Sequence, residues 1–259
     1  IVTMVKKSGG CHDPLFDVNG QVYLIAGAGG GLGSVIAEEL SKRGAKCVLF
    51  DIHEMALQRV AEKIPNAVTE IADITDELEI LNLVQLAEDK FGRLDGAINA
   101  TGVLPITAAD TLDEAIFRQC LDVNLTGAFL FSRCVARAMN NHGGRIVHIA
   151  SVSSTVSNLG YAAYASSKAA LTHLVRVLAR EWASKNILIN AIGPAMTDTA
   201  LTAGYLSDPA FHKNAVSTIP VGRLGEPKDL IGAVILLLAP GGAFITGQTI
   251  YVDGGRTLV

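Results

Sequence analysis

The 259-residue sequence has little of what would tie a protein to nucleic acid, membrane or metal. Basic residues number 21 against 25 acidic ones, a net charge of −4, so no cationic surplus exists to neutralise phosphates or an anionic bilayer. A membrane-spanning helix needs ~20 apolar residues in a row, and the longest run here, Ile231 to Ala239, falls far short. The four cysteines (Cys11, Cys47, Cys120, Cys134) are widely spaced with no C-x-x-C pair, which argues against a zinc site. Three of them lie in apolar stretches and are expected as buried free thiols of a reducing compartment. The six histidines show no ligand spacing, so no metal is expected. No charged segment followed by an apolar one marks a secretory signal. The expectation is a soluble, cytoplasmic protein that acts on a small molecule, with no nucleic-acid or membrane partner.

What is present is apolar content and glycine. Hydrophobic residues make up 49% and charged ones 18%, enough for one sizeable core and too apolar for disorder. The 26 glycines cluster where segments join. Residues 1–19 lack periodicity and read as an arm, whereas 20–259 read as one domain. Apolar runs at 22–26, 46–50, 67–71, 94–99, 145–151, 187–192 and 249–253 predict seven strands. Helical patterns at 32–43, 54–63, 76–90, 111–140 (with a break), 161–184 and 227–239 separate them, and 194–220 shows no clear period. Strands that are apolar throughout suit a parallel sheet covered on both faces. The fold class is therefore α/β, a doubly wound parallel sheet in a single domain.

The first predicted strand runs into Ala26-Gly27-Ala28-Gly29-Gly30-Gly31-Leu32-Gly33 and then a helix. Glycines there let the chain turn tightly and bring backbone N–H groups close to a pyrophosphate at a helix N-terminus. The G-x-x-x-G-x-G spacing of Gly27, Gly31 and Gly33 differs from the common dinucleotide fingerprint, but the physics is shared. Asp51 closes the second strand, where a carboxylate accepts from the adenosine ribose hydroxyls and repels a 2′-phosphate. No Arg or Lys stands at 28–30 or just after Asp51, so NAD is favoured over NADP. Asp73, after the third strand, is a candidate for the adenine amino group and equally for a turn or helix cap. The neighbours Gly29, Gly30, Leu32, Ile52, Ala72 and Ile74 complete this expected cofactor surface, in a Rossmann-type fold.

Tyr164-Ala-Ser-Ser-Lys168 carries the chemistry. Residues i and i+4 share a helix face, which sets an ammonium beside a phenol. A free phenol has a pKa near ~10, too high for a base at neutral pH. A nearby cation favours phenolate, and an oxidised nicotinamide would add a second positive charge. Ser151 ends the fifth strand, at the sheet edge where ligands gather. Asn124 is a polar amide in an apolar helical pattern and needs partners. Capping or turn roles compete for both residues.

With these residues in order, the chain resembles the short-chain dehydrogenase/reductase family over about Gly20 to Gly255. Gly27, Gly31 and Gly33 match its cofactor glycines, and Asn124, Ser151, Tyr164 and Lys168 its catalytic tetrad. Asn99-Ala100-Thr101-Gly102 stands where the family has Asn-Asn-Ala-Gly. Pro194 and Thr199 match residues bordering nicotinamide, with Ala195 and Thr197 between them, and Val252-Asp253-Gly254-Gly255 matches the family's ending. The resemblance implies Tyr164 as acid/base, Lys168 as its tuner and ribose ligand, Ser151 as the group that polarises the substrate oxygen, and Asn124 as part of a proton relay. It also implies NAD (NADH) as cofactor and a homotetramer built on the long helices and last strand. Ala26, Ala100-Thr101 and Ala195 depart from the family pattern; the first two remove polar groups that usually tie the cofactor loops together.

The substrate pocket is expected around Ser151, Ser153, Tyr161, Tyr164 and Met196. No Arg or Lys occurs at 152–161 or 194–212, so a multiply charged substrate lacks an obvious partner unless Lys213 moves in. Residues 15–20 are similar to polyol and gluconate dehydrogenases of the family, and the body equally to 3-oxoacyl-carrier-protein reductases. The favoured reading is hydride transfer on a small secondary alcohol, polyol or hydroxy acid. The alternatives are a 3-oxoacyl-carrier-protein reductase-like enzyme and an NAD-binding sensor without turnover.

Overall fold

The computed structural model describes residues 13–64 and 66–259. Cys11 and residues 1–12 of the expected arm lie outside them. The described end of that arm is packed: Pro14–Phe16 forms a single turn, and the Val18 side chain is buried in the core.

Seven strands form one all-parallel sheet. They are β1 (Val22–Ala26), β2 (Lys46–Asp51), β3 (Val68–Ile71), β4 (Gly96–Asn99), β5 (Gly144–Ile149), β6 (Ile187–Pro194) and β7 (Thr249–Val252). Their spatial order is β3-β2-β1-β4-β5-β6-β7. The strand order therefore reverses between β1 and β4, and the carboxyl ends there form the crevice where ligands of doubly wound sheets gather.

Every residue of β1 is buried because both faces are covered. Val22, Leu24 and Ala26 face one core with α3 (Glu77–Phe91), α5 (Ala128–Ala138) and α6 (Ala162–Trp182). Tyr23 and Ile25 face the other, with α1 (Gly31–Lys42), α2 (Glu54–Ala61) and α9 (Ile231–Leu238). This explains why the strand reads as a continuous apolar run rather than an alternation. Cys47, Cys120 and Cys134 are buried free thiols, as expected.

Two stretches resolve into more than the sequence pattern shows. The helical reading over 111–140 becomes α4 (Glu114–Leu121), a π-helical stretch Asp122–Gly127, and α5. The aperiodic segment 194–220 contains α7 (Ala200–Leu206) and α8 (Pro209–Ser217). Each spans barely two turns, too little for a period to register.

Candidate active site

The glycine loop is built by close approach. Gly27 has φ +71°, a left-handed conformation, and a Cβ on it would lie 2.8 Å from the Ala100 carbonyl carbon. A Cβ on Gly31 would lie 2.7 Å from the Thr199 Cβ, and one on Gly33 would collide with the Gly27 carbonyl oxygen. The chain thus packs β1, α1 and the β6 loop together through bare backbone. Gly30 caps α1 without any side chain, and among the described residues no side chain caps the first-turn N–H groups of the helix. Such N–H groups, with the helix dipole behind them, fit a pyrophosphate.

Asp51 is buried at the end of β2. Its Oδ2 accepts from Gly29 N at 3.0 Å and its Oδ1 from His53 N at 3.0 Å. The carboxylate is thereby fixed beside the glycine loop with lone pairs to spare for ribose hydroxyls. Asp73 is exposed, and its Oδ1 accepts from the Thr75 N–H and hydroxyl, both at 2.8 Å. The helix cap of α3 is Asp76 instead.

A buried hydrogen-bond chain fixes the loop after β4, and every direction in it follows from chemistry. The Ser132 hydroxyl donates to the Ala128 carbonyl at 2.7 Å, so its oxygen accepts from His148 Nε2 at 2.7 Å. His148 Nδ1 then accepts from Asn99 Nδ2 at 3.3 Å, leaving Asn99 Oδ1 to accept from the Thr101 N–H and hydroxyl at 2.9 and 2.6 Å. Burial, reinforced by the charge of Lys168, pushes His148 down to about 3, so the imidazole is neutral as this chain requires. The Thr101 bonds run within the loop, to Asn99 two residues back.

Tyr164 and Lys168 stand one turn apart on α6, with the Lys168 Nζ 5.7 Å from the Tyr164 ring centroid. The Nζ donates to the Ile149 carbonyl at 2.9 Å, so it sits over the ring face and is held at the end of β5. Burial pushes the Tyr164 phenol up to about 12, partly offset by its hydrogen bond with Ser151. In the protein without cofactor, desolvation of the buried phenolate is therefore the largest influence on this phenol. Burial also lowers Lys168 to about 8, so the ammonium persists at neutral pH. Ser151 itself accepts from Ser153 N at 3.0 Å and caps the short turn Val152–Ser154. The capping reading is therefore observed, and Ser151 lines the cavity as well.

Asn124 lies in the π-helical stretch. Its Oδ1 accepts from Val103 N at 2.9 Å, and its Nδ2 donates to the Val103 carbonyl and the Ser167 hydroxyl, each at 3.0 Å. A Cβ on Gly102 would lie 3.2 Å from Asn124 Oδ1 and 3.4 Å from Lys168 Nζ, so the amide and the ammonium meet at this glycine. The local bend brings a side chain from one helix onto the neighbouring loop.

A cavity of about 600 Å³ opens beside these groups. Of the residues expected in it, Ser151, Ser153, Tyr161, Tyr164 and Met196 all line it. So do the cofactor candidates Leu32, Ala100, Gly102, Lys168, Pro194, Ala195, Thr197 and Thr199. The remaining glycines, Asp51, Ile52, Ala72, Asp73, Ile74, Asn99 and Asn124 stand outside its walls. Tyr161 and Tyr164 meet edge to face, centroids 6.0 Å apart. A roof is formed by α7 and α8, pinned where the Tyr205 hydroxyl donates to the Leu104 carbonyl at 3.0 Å. Thr199 caps α7 reciprocally with Thr202, which orients the roof's first turn.

Sequence reasoning missed the cavity's second cation. Lys213, offered as a mobile lid charge, does not line it; Arg256, from the turn after β7, does. Gly254 and Gly255, at φ +58° and +90°, fold that turn back across Ile219 and Pro220. Their place in the family-like ending was the available signal, but nothing in the local pattern says where the next side chain lands.

The fold and the crevice define an α/β oxidoreductase of the doubly wound class. A family model described as enoyl-(acyl carrier protein) reductase matches residues 27–257. Galactitol 2-dehydrogenase (L-tagatose-forming) of Cereibacter sphaeroides is 32% identical over 94% of this chain and 98% of that protein. The 3-oxoacyl-[acyl-carrier-protein] reductase of Vibrio cholerae is 31% identical over 94% of this chain and 100% of its own length. Among solved structures, a gluconate 5-dehydrogenase from Burkholderia cenocepacia in complex with NADP and tartrate superposes with a TM-score of 0.90 at 29% identity. That match covers 95% of this chain and 98% of the other. The chain belongs to the short-chain dehydrogenase/reductase family.

Proposed function

We propose that the chain is an NAD(H)-dependent enzyme that interconverts a small secondary alcohol and its ketone, with Tyr164 as acid/base. The observation that carries this is the convergence of Tyr164, Ser151 and Lys168 on one cavity wall, next to a glycine loop made of bare backbone. When bound, the nicotinamide accepts or supplies the hydride. Ser151 orients the substrate oxygen, and Tyr164 takes the hydroxyl proton during oxidation or returns it during reduction. Lys168, held by Ile149, keeps a positive charge over the phenol and would bind the nicotinamide ribose when the cofactor is present. Asn124 fixes the Val103 backbone behind Lys168 and gives a proton path its anchor.

Asp51 supports NAD over NADP: a 2′-phosphate would meet a buried carboxylate, and the glycine loop offers no cation to receive it. The NADP in the gluconate 5-dehydrogenase belongs to that protein. Assembly as a homotetramer is part of the proposal, through the faces of α4, α5 and α6 and the half-buried edge strand β7; light scattering reads it directly.

The test is Tyr164→Phe, assayed by nicotinamide absorbance on a panel of secondary alcohols and ketones. Loss of a positioned acid/base is expected to lower turnover by ~10²–10⁴-fold while NADH still binds. A sensor would show no turnover in either protein, and a variant as active as the parent removes Tyr164 from the chemistry.

A further inference from the structure

We propose that Arg256 is a specificity-determining residue that holds a carboxylate, so that the substrate is a hydroxy acid or its keto acid rather than a neutral alcohol. This deepens the reading above and rests on the cavity being the reaction site.

Charge in the cavity is one-sided. Among the described residues its walls carry two cationic side chains, Lys168 and Arg256, and no aspartate or glutamate. Lys168 is committed to the Ile149 carbonyl and the tyrosine. Arg256 forms no ion pair with an Asp or Glu side chain among the described residues. Its Nη2 donates to Asn158 Oδ1 and its Nη1 to a main-chain oxygen of Val259, the last residue of the sequence, both at 3.1 Å. A guanidinium has five N–H donors in a planar fork, so donors remain for a bidentate partner. Among the described residues no Asp or Glu side chain occupies these donors, so a ligand carboxylate can take them.

The guanidinium is presented by a turn that is fixed in place. Asp253 accepts from Gly255 N at 3.0 Å, Thr257 N at 2.8 Å and the Thr257 hydroxyl at 2.7 Å, so its carboxylate is spent on shaping the turn. Val221 N donates to the Gly254 carbonyl at 3.0 Å, tying the turn to the end of the roof. The positive φ of Gly254 and Gly255 lets the chain pass where a Cβ would press on Ile219 and Pro220, at 2.7 and 3.0 Å. Asn158 adds a donor of its own. Because its oxygen faces the guanidinium, its Nδ2 is left as a second N–H group on the same wall. Arg256 and Asn158 thus form a cationic end, with Ser151 and Tyr164 lining the same cavity.

The experiment compares matched pairs, gluconate with glucitol and 3-hydroxybutyrate with 2-butanol, in the full chain with NAD. In the parent protein kcat/KM favours at least one acid over its neutral mate. Arg256→Leu lowers that acid-to-neutral ratio by at least about tenfold, mostly through KM, as expected for losing a charge-assisted contact. Arg256→Lys restores part of the ratio. If neither acid is preferred, or if Arg256→Leu leaves the ratio unmoved, the assignment is wrong while the acid/base reading stands. Equilibrium binding of the same four compounds to the NADH complex of Tyr164→Phe separates the two failures. Acids that bind more tightly there than to Tyr164→Phe/Arg256→Leu uphold the anion site even without turnover, and equal binding overturns it.

Discussion

The two halves of the crevice are made in opposite ways. On the cofactor side the walls are backbone: Gly27, Gly31 and Gly33 are where they are because a single Cβ at each would strike Ala100, Thr199 or Gly27. On the substrate side the walls are side chains gathered from far apart in sequence, among them Leu104, Asn158, Tyr161, Phe211 and Arg256. A wall of backbone constrains residue type at each position, whereas a wall of side chains constrains only what converges in space. The first half leaves a written trace and the second leaves almost none.

That contrast can be broken by substitution. The largest effect is expected at Gly33→Ala, where the added methyl must push apart the loop and α1. Strain of about 1–3 kcal/mol corresponds to a loss of roughly five- to 150-fold in NADH affinity, read by fluorescence titration. Unchanged affinity would mean that the loop does not hold the cofactor. A smaller effect belongs to Asp51→Ala, which removes a repulsion instead of creating a clash. Its NADH-to-NADPH preference falls by about tenfold, equal to 1.4 kcal/mol, and a parent protein that prefers NADPH contradicts the role given to Asp51.

The same contrast explains how far the sequence could be read. The positions of the strands follow from apolar runs, most clearly for the central ones, which are buried on both faces and apolar throughout, whereas the reversal of order between β1 and β4 is set by the crossovers and leaves no local mark. Asp51 and the Tyr164–Lys168 pair were also legible, since each sits at a fixed offset from a strand end or along one helix. The π-helical stretch at Asp122–Gly127 was visible only as a break. The roof helices were missed because two turns carry no measurable period. Arg256 was missed for a different reason: its cavity position depends on how the turn after β7 meets Ile219 and Pro220. For Tyr164 the i, i+4 spacing made the neighbouring charge readable, but the depth of burial that raises the phenol in the cofactor-free protein is not.

Tyr164 is therefore the place where the account is most exposed. Burial holds its folded pKa near 12, above the value of 10 for a free phenol, so the unliganded protein favours the neutral form. By linkage, this contribution to stability is present below the free phenol's pKa and is lost as pH rises through the folded value. Lys168, lowered to about 8, is charged at neutral pH, so it is not the missing switch. The cation that remains is the oxidised nicotinamide. The decisive measurement is the phenolate absorbance of the parent protein minus that of Tyr164→Phe, titrated with NAD or NADH bound. The account predicts that the difference signal appears at a clearly lower pH with NAD than with NADH. A midpoint that is the same with both cofactors, or a signal absent with NAD up to pH values where free tyrosine ionises, would contradict it.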